Sequence, residues 1–271
     1  MLVTGSSGAV GRVVIEALRR AGHTVDGLDR RPHGALPRET LGDIAEADTW
    51  ERAFARKVGE PPIDTLVHLA AYPFRDGQFL EDLLGPNVVG MYRAFASAAA
   101  HGVGRVIFAS TVQTVSGYAG DRPTPTDVHG PTNFYAATKC FAEDVGRVFA
   151  LEQIESVIAA RLGWFLRTPE EAENLRGREH LHGLYVSHAD LARFFLAAVD
   201  AEHRGFAAYW CMSAGAPAAS PEAPLPPSPY DLAPGRAELG YEPQDRFPHG
   251  LDWSFLPPVD RAARSDAEVN A

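Results

Sequence analysis

The chain has 271 residues, enough for one large α/β domain or two small ones with a full core. Its 45% hydrophobic and 22% charged residues exclude a wholly disordered chain, and its net charge of −10 has the wrong sign for nonspecific nucleic-acid binding. No apolar run approaches the ~18–20 residues of a bilayer span, and the opening Met1-Leu2-Val3-Thr4 lacks the basic and apolar regions of a signal peptide. Cys140 and Cys211 make no disulfide framework and suit a reducing compartment. The expectation is a cytoplasmic enzyme with a small-molecule substrate and neither nucleic-acid nor membrane partners.

Leu2–Thr4 reads as the first strand, followed directly by Thr4-Gly5-Ser6-Ser7-Gly8-Ala9-Val10-Gly11. Glycines at this spacing let a strand turn sharply into a helix and let the backbone approach a pyrophosphate. They also let the helix pack closely on the sheet. No Gly-Lys-Ser/Thr ending follows, so a triphosphate loop is not indicated. Val10, Val13, Val14, Ala17 and Leu18 form a helical stripe ended by Gly22. Thr24–Leu28 is the second strand, closed by Asp29, where a carboxylate can accept hydrogen bonds from an adenosine ribose. Arg30 and Arg31 would instead hold a 2′-phosphate. The acid repels such a phosphate, so the reading is NAD, with NADP less favoured.

Trp50, Ala53, Phe54 and Val58 make a second stripe, Thr65–Leu69 a third strand, and Val88, Met91, Tyr92, Phe95 and Ala99 a third stripe. Arg105–Ala109, the fourth strand, ends at the hydroxyl pair Ser110-Thr111, where open α/β sheets bind ligands. Asn133–Leu151 reads as a helix with Tyr135 and Lys139 four apart on one face, and Ala142 and Gly146 keep that face small. A tyrosine at its ordinary pKa of about 10 is a poor base at neutral pH, and a neighbouring ammonium lowers it. Lys57 and Lys139 are the two lysines against 23 arginines, so a lysine at this spacing carries weight. Val157–Ala160 is a fifth strand. These strands are continuously apolar, the mark of a parallel sheet covered on both faces, and their alternation with helices predicts a doubly wound sheet.

Beyond Arg161 the pattern loosens. Thr168–His182, rich in Glu and Arg, reads as a surface loop and a candidate lid. Ser187 caps a helix bearing Leu191, Phe194, Phe195 and Ala198, with Asp190 at the capping-box distance. Phe206–Met212 is a late strand, and 214–229, with six prolines, an irregular loop. A polar, frayed tail occupies 257–271.

The glycine turn, Asp29, Gly42-Asp43-Ile44, His68-Leu69-Ala70-Ala71, Phe108-Ala109-Ser110-Thr111 and Tyr135-x-x-x-Lys139 follow the order found in the extended, epimerase-type short-chain dehydrogenase/reductases. Over most of its length the chain resembles that family. The resemblance implies an α/β fold with a doubly wound parallel sheet of the Rossmann type. One domain would cover 1–256, with a cofactor core over 1–163 and a small C-terminal substrate-binding part over 164–256. It further implies that Gly5, Ser7, Gly8, Ala9, Val10, Gly11, Asp29 and Arg30 contact the dinucleotide, with Asp43 and Ile44 at the adenine. Leu69, Ala70 and Ala71 would lie along the pyrophosphate and nicotinamide ribose, Asn87 near the nicotinamide, and Leu162 would complete the cofactor contacts. Thr111 would hydrogen-bond the substrate oxygen and Tyr135 would be the acid/base. Lys139 would hold the ribose while lowering the tyrosine pKa. His68 reads as a satisfied core histidine, and no metal is expected. A homodimer is implied through helices Asn87–His101 and Asn133–Leu151, with Met91, Phe95, Phe141, Val145 and Val148 as apolar surface.

Within the family, the runs Tyr135–Glu143, Tyr185–Asp190 and Leu239–Asp245 resemble the uronate dehydrogenases, which oxidise a hexuronate at its anomeric carbon. The implied pocket departs from theirs. Pro73 and Trp164 replace serines, Val112 replaces an asparagine beside Gln113, and His180 stands for a carboxylate-gripping arginine. An unpaired sugar hydroxyl costs ~1–3 kcal/mol, so the cofactor half fits and the uronate pocket does not. Arg176 and Arg178 are candidate replacements for the lost guanidinium. The leading reading is an NAD-dependent oxidoreductase acting on a secondary alcohol or hemiacetal of a small, sugar-derived molecule. The alternatives are an epimerase or dehydratase using transient oxidation, and a non-catalytic dinucleotide-sensing regulator.

Overall fold

The computed structural model describes residues 1–118, 128–214 and 230–254. The sheet-forming strands are β1 (Leu2–Thr4), β2 (Asp26–Asp29), β3 (Glu39–Leu41), β4 (Thr65–His68), β5 (Arg105–Thr111), β6 (Ser156–Leu162) and, late in the chain, β9 (Gly205–Cys211). They form one sheet of order β3-β2-β1-β4-β5-β6-β9, parallel at every pairing. The chain leaves β1 toward β2 and β3, then returns to the other side of β1 with β4. That reversal opens a crevice at the C-terminal ends of β1 and β4, the usual ligand position of such sheets.

Helices α1 (Ala9–Arg20), α2 (Ala47–Phe54), α3 (Met91–Ala100), α4 (Phe134–Glu152), α5 (Pro169–Arg176), α6 (His188–Asp200) and α7 (Ala233–Leu239) complete the framework. Trp50 of α2, Phe95 of α3 and Phe149 of α4 pack with Phe108 on one face of the sheet. Val14 of α1, Phe194 of α6 and Leu239 of α7 pack with Ile107 and Ile158 on the other. This is the doubly wound, Rossmann-like α/β fold read from the sequence.

Several elements differ from the sequence reading. β3 was not foreseen, because its three residues include no buried one. The stretch before α3 is a π-helical run, Phe79–Gly90, containing Pro86, whose missing N–H interrupts the regular donor row. Val58 falls beyond α2 and is exposed. Met91 and Phe95 are core residues rather than surface ones; the exposed apolar residues of this helical layer are Val89, Tyr92, Phe134, Val148 and Leu151.

Thr168–His182 is not a loop. Thr168 caps α5 by accepting from Glu171 N at 3.1 Å, Pro169 stands at its start, and Glu170 and Glu171 occupy the positive end of the helix. Ala172 and Leu175 bury the inner side, a stripe too narrow to register as a pattern. A 3-10 turn, Glu179–Leu184, leads to β8 (Tyr185–Val186), which pairs with β7 (Trp164–Phe165). The result is a small lobe with its own apolar cluster of Leu166, Ala172, Leu175, Tyr185 and Phe247. Ser187 caps α6 as read, accepting from Asp190 N at 2.8 Å. The stretch 215–229 and the tail 257–271 lie outside the described residues. Among those described, no helix is long and apolar enough to cross a membrane, and no group of His, Cys, Asp or Glu could hold a metal ion.

Candidate active site

Gly5 follows β1 with φ +67°, and a Cβ there would lie 2.8 Å from Ala70 N. A Cβ on Gly11 would collide with the carbonyl oxygen of Gly5. The turn therefore approaches both α1 and the end of β4 too closely for a side chain at either glycine. Gly8 offers α1 no side-chain cap, which leaves the first-turn N–H groups of Ala9, Val10 and Gly11 for a ligand. This backbone cradle, at the positive end of a helix, fits a pyrophosphate.

Asp29 ends β2 and lies against the turn, its carboxylate accepting from Ser7 N at 3.0 Å and Arg31 N at 3.1 Å. Arg30 is exposed beside it. Asp43 and buried Ile44 follow β3, and Asp43 accepts from Ala45 N at 2.8 Å. Across the crevice, the Thr4 hydroxyl accepts from Leu69 N and Ala70 N at 3.1 and 3.2 Å and lies 2.8 Å from His68 Nδ1. With both its lone-pair directions used, the hydroxyl donates to that nitrogen, so the His68 proton sits on Nε2, which has no partner among the described residues. Burial, with the charge of Lys139 adding, holds His68 neutral with its pKa down at about 3. The core histidine is satisfied at one nitrogen only.

The chemical groups gather at the C-terminal end of β5. Asn133 caps α4, accepting from Ala136 N at 2.8 Å and donating to Gln113 at 2.9 Å. Tyr135 therefore stands in the first turn, 8% exposed. The Thr111 side chain acts on its phenol and favours the ionised form. Lys139 lies one turn on, 3% exposed, with Nζ donating to Ala109 O at 2.9 Å and 5.8 Å from the Tyr135 ring centroid. Gly146 lets this face of α4 lie close to Phe95, Val157 and Phe108.

The electrostatics differ from expectation. Burial raises the Tyr135 phenol above its ordinary value, and the charge pulling it back down is that of Arg167, aided by the Thr111 side chain. The expected lowering by Lys139 does not dominate. Burial pushes Lys139 itself down to about 8, with the Glu143 carboxylate opposing. Glu143 is fully buried and accepts from Ser110 Oγ, from Arg161 Nε and Nη2 at 2.9 and 2.7 Å, and from His129 Nε2 at 2.7 Å. Ser110 and Arg161 are register partners on β5 and β6. This network ties α4 to both strands.

Other predicted positions are less tightly grouped. Asn87 is buried and clamps the backbone of Tyr72, with Oδ1 accepting from its N–H at 2.8 Å and Nδ2 donating to its carbonyl at 3.0 Å; Nδ2 also donates to Thr138 at 3.2 Å. Leu162 ends β6 opposite Thr111. Ala71 is half-buried and Pro73 exposed. Val112 packs toward Trp210, and Trp164 toward the lobe cluster. His180 is exposed on the 3-10 turn, and Arg176 is engaged with Glu173 at 3.1 Å. Sequence reasoning missed Thr4, Thr138, Glu143 and Arg167. Glu143 carried a readable signal, since it lies four residues beyond Lys139 on the same face. Arg167 carried none.

Residues 1–163 match the model of the NAD dependent epimerase/dehydratase family. The chain is similar to L-arabinose 1-dehydrogenase (NAD(P)(+)) of Haloferax volcanii, 29% identical over 73% of this chain and 82% of that protein. It is also similar to uronate dehydrogenase of Pseudomonas putida, 28% identical over 65% of this chain and 63% of that protein. The solved glucuronic acid dehydrogenase of Chromohalobacter salexigens superposes with a TM-score of 0.69 at 25% identity, over 90% of this chain and 84% of that one. The family match spans the glycine turn, the β4 end and the Tyr135–Lys139 helix, and with these relatives it establishes that the chain belongs to the NAD-dependent epimerase/dehydratase family and is an NAD-dependent enzyme.

Proposed function

We propose that the enzyme is an oxidoreductase that moves a hydride between NAD and a secondary alcohol or hemiacetal of a small, sugar-derived molecule, with Tyr135 as acid/base. The observation that carries this reading is the buried group Thr111, Tyr135 and Lys139 at the end of β5, at the same C-terminal edge of the parallel sheet as the glycine turn. The sugar-acting relatives support the substrate class.

The nicotinamide, when bound, supplies the hydride acceptor. The chain supplies the rest. The β1–α1 turn from Gly5 to Gly11 would hold the pyrophosphate, Asp29 and Arg30 the adenosine ribose, and Asp43 with Ile44 the adenine. Leu69, Ala70 and Ala71 would flank the far ribose. Thr111 and Tyr135 would grip the substrate hydroxyl, and the phenol oxygen would take its proton. Lys139 would hold the ribose and keep a positive charge near the phenol. Positioning and hydrogen-bonded charge stabilisation supply the acceleration.

A screen of NADH absorbance with NAD and NADP, against uronates, neutral sugars, cyclitols and aromatic alcohols, tests this reading. Turnover with NAD of at least one polyol is expected; dinucleotide binding without turnover of any class would replace it by a sensing role. Val89, Tyr92, Phe134, Val148 and Leu151 give the α3–α4 layer an exposed apolar side, which supports a homodimer. Sedimentation at micromolar concentration is expected to give a dimer, and a monomer would exclude that assembly.

A further inference from the structure

Arg167 follows β7 and directly precedes Thr168, the cap of α5. Its backbone N–H is fixed by the Glu171 carboxylate at 2.6 Å, and its guanidinium carbon lies 4.8 Å from the centroid of the Phe74 ring. Phe74 packs edge-on against Tyr72 at 5.5 Å. The backbone of Tyr72 is clamped by Asn87, which also donates to Thr138. Thr138 in turn donates to the carbonyl of Tyr135 at 2.7 Å. The guanidinium is thus set by two anchored segments, one of them tied to the turn of α4 that carries Tyr135.

Arg167 is half-buried, and its charge is felt at the phenol. Among the described residues its guanidinium makes no hydrogen bond and no ion pair. Three sheltered arginines are instead paired with acids: Arg161 with Glu143, Arg193 with Asp190 and Asp245, and Arg56 with Asp26. A guanidinium partly withdrawn from water, braced on an aromatic face and lacking an anion is built to receive one.

We propose that Arg167 binds an anionic oxyacid group of the substrate, a carboxylate or a phosphate, and that the enzyme selects anionic secondary alcohols over their neutral counterparts. This rests on the reading of Tyr135 as the group that faces the reacting hydroxyl. The proposal assigns recognition to the segment after β7 rather than to His180 or to Arg176, which lie farther along on the 3-10 turn and α5. It also has an electrostatic consequence. An anion seated on Arg167 cancels the charge that pulls the phenol down, so a bound anionic substrate leaves Tyr135 a stronger base than a neutral one does.

The test uses the NAD-loaded protein and matched pairs: glucuronate with glucose, glucose 6-phosphate with glucose, and 3-hydroxyhexanoate with its amide. Binding is measured by calorimetry and initial rates by NADH absorbance. At least one acid should be preferred over its neutral partner by roughly tenfold or more, the scale of a charge-assisted pair. The pairs separate carboxylate from phosphate. Arg167→Gln should bring the preference to within about twofold while NAD affinity stays unchanged, and Arg167→Lys should keep part of it. With neutral substrates, Arg167→Gln should also move the tyrosine limb of the kcat profile to higher pH. Equal binding of acids and neutrals, a preference that survives Arg167→Gln, or a loss of NAD affinity in that variant would each overturn the proposal. Calorimetry scores anion preference without turnover, so failure here is distinguishable from failure of the hydride-transfer reading, which would show as turnover retained by Tyr135→Phe.

Discussion

At the β1–α1 turn, the closest approaches are backbone on backbone, with Gly5 against Ala70 and Gly11 against Gly5, and the side chains of Asp29 and Thr4 only brace them. Beyond β6 the ties are side chain on backbone over long separations. The Tyr185 hydroxyl donates to His249 O at 2.8 Å, and the His188 ring lies 2.8 Å from Leu166 O and 2.6 Å from Asp252 O. Buried Asp190 accepts from Ser213 Oγ, Gln244 N and Asp245 N. A cradle made of backbone admits no side-chain variation and suits a ligand that never changes. A lobe held by side chains can be retuned by substitution, as a variable substrate demands.

That contrast breaks most sharply at Gly11. Gly11→Val drives a side chain into the carbonyl of Gly5 and should weaken NAD binding by ~100-fold or more, about 3 kcal/mol, by titration of NADH fluorescence. A loss under about tenfold would show that the turn is less confined than its backbone contacts require. In the lobe, Ser213→Ala removes the acceptor for Ser187 N and the donor to Asp190. It should cost about 1–3 kcal/mol of stability, seen as a lower melting temperature, while NAD affinity changes less than about twofold. Four strand spacings of ~4.8 Å separate β9 from β1 in the sheet. A large loss of NAD affinity in this variant would join the two regions into one unit.

Acid should separate them more gently. His68 is held at about 3, by burial and then by Lys139, against an ordinary 6.5. The unfolded chain therefore binds the extra proton first, and stability falls as pH drops from about 6.5 toward 3. Burial pushes Glu143 up, but Arg161, His129 and Ser110 outweigh it and hold it at about 2 against 4.5. Its contribution is present above about 4.5 and is lost as pH falls through that value toward 2. Both groups belong to the cofactor half. Melting curves across this range should slope downward toward acid, and His68→Asn should flatten the upper part. A flat profile between pH 6.5 and 4.5 would contradict the neutral, buried histidine.

The same division governed what the sequence could reveal. Glycines at Gly5, Gly8 and Gly11, the acid at Asp29 and the i,i+4 pair Tyr135–Lys139 are local patterns, legible along the chain as the strands of the sheet are. Helix α5 did not, because its capping residues surround only Ala172 and Leu175 as buried positions. Asn133 as the brace of Gln113, Thr4 as the brace of Leu69 and Ala70, and Arg167 as the charge near Tyr135 depend on contacts between distant segments. No spacing along the chain encodes them.

Tyr135→Phe tests the central claim most directly, with Lys139→Ala as its companion. Single-turnover NADH formation and NAD affinity should be measured on both. The account predicts that Tyr135→Phe leaves NAD affinity nearly intact while turnover falls ~100- to 10,000-fold, the range of lost acid–base catalysis. Lys139→Ala should damage affinity and turnover together, since it serves both the ribose and the phenol. Retention of more than about a tenth of the wild-type rate by Tyr135→Phe, outside that range, would remove the tyrosine from the mechanism.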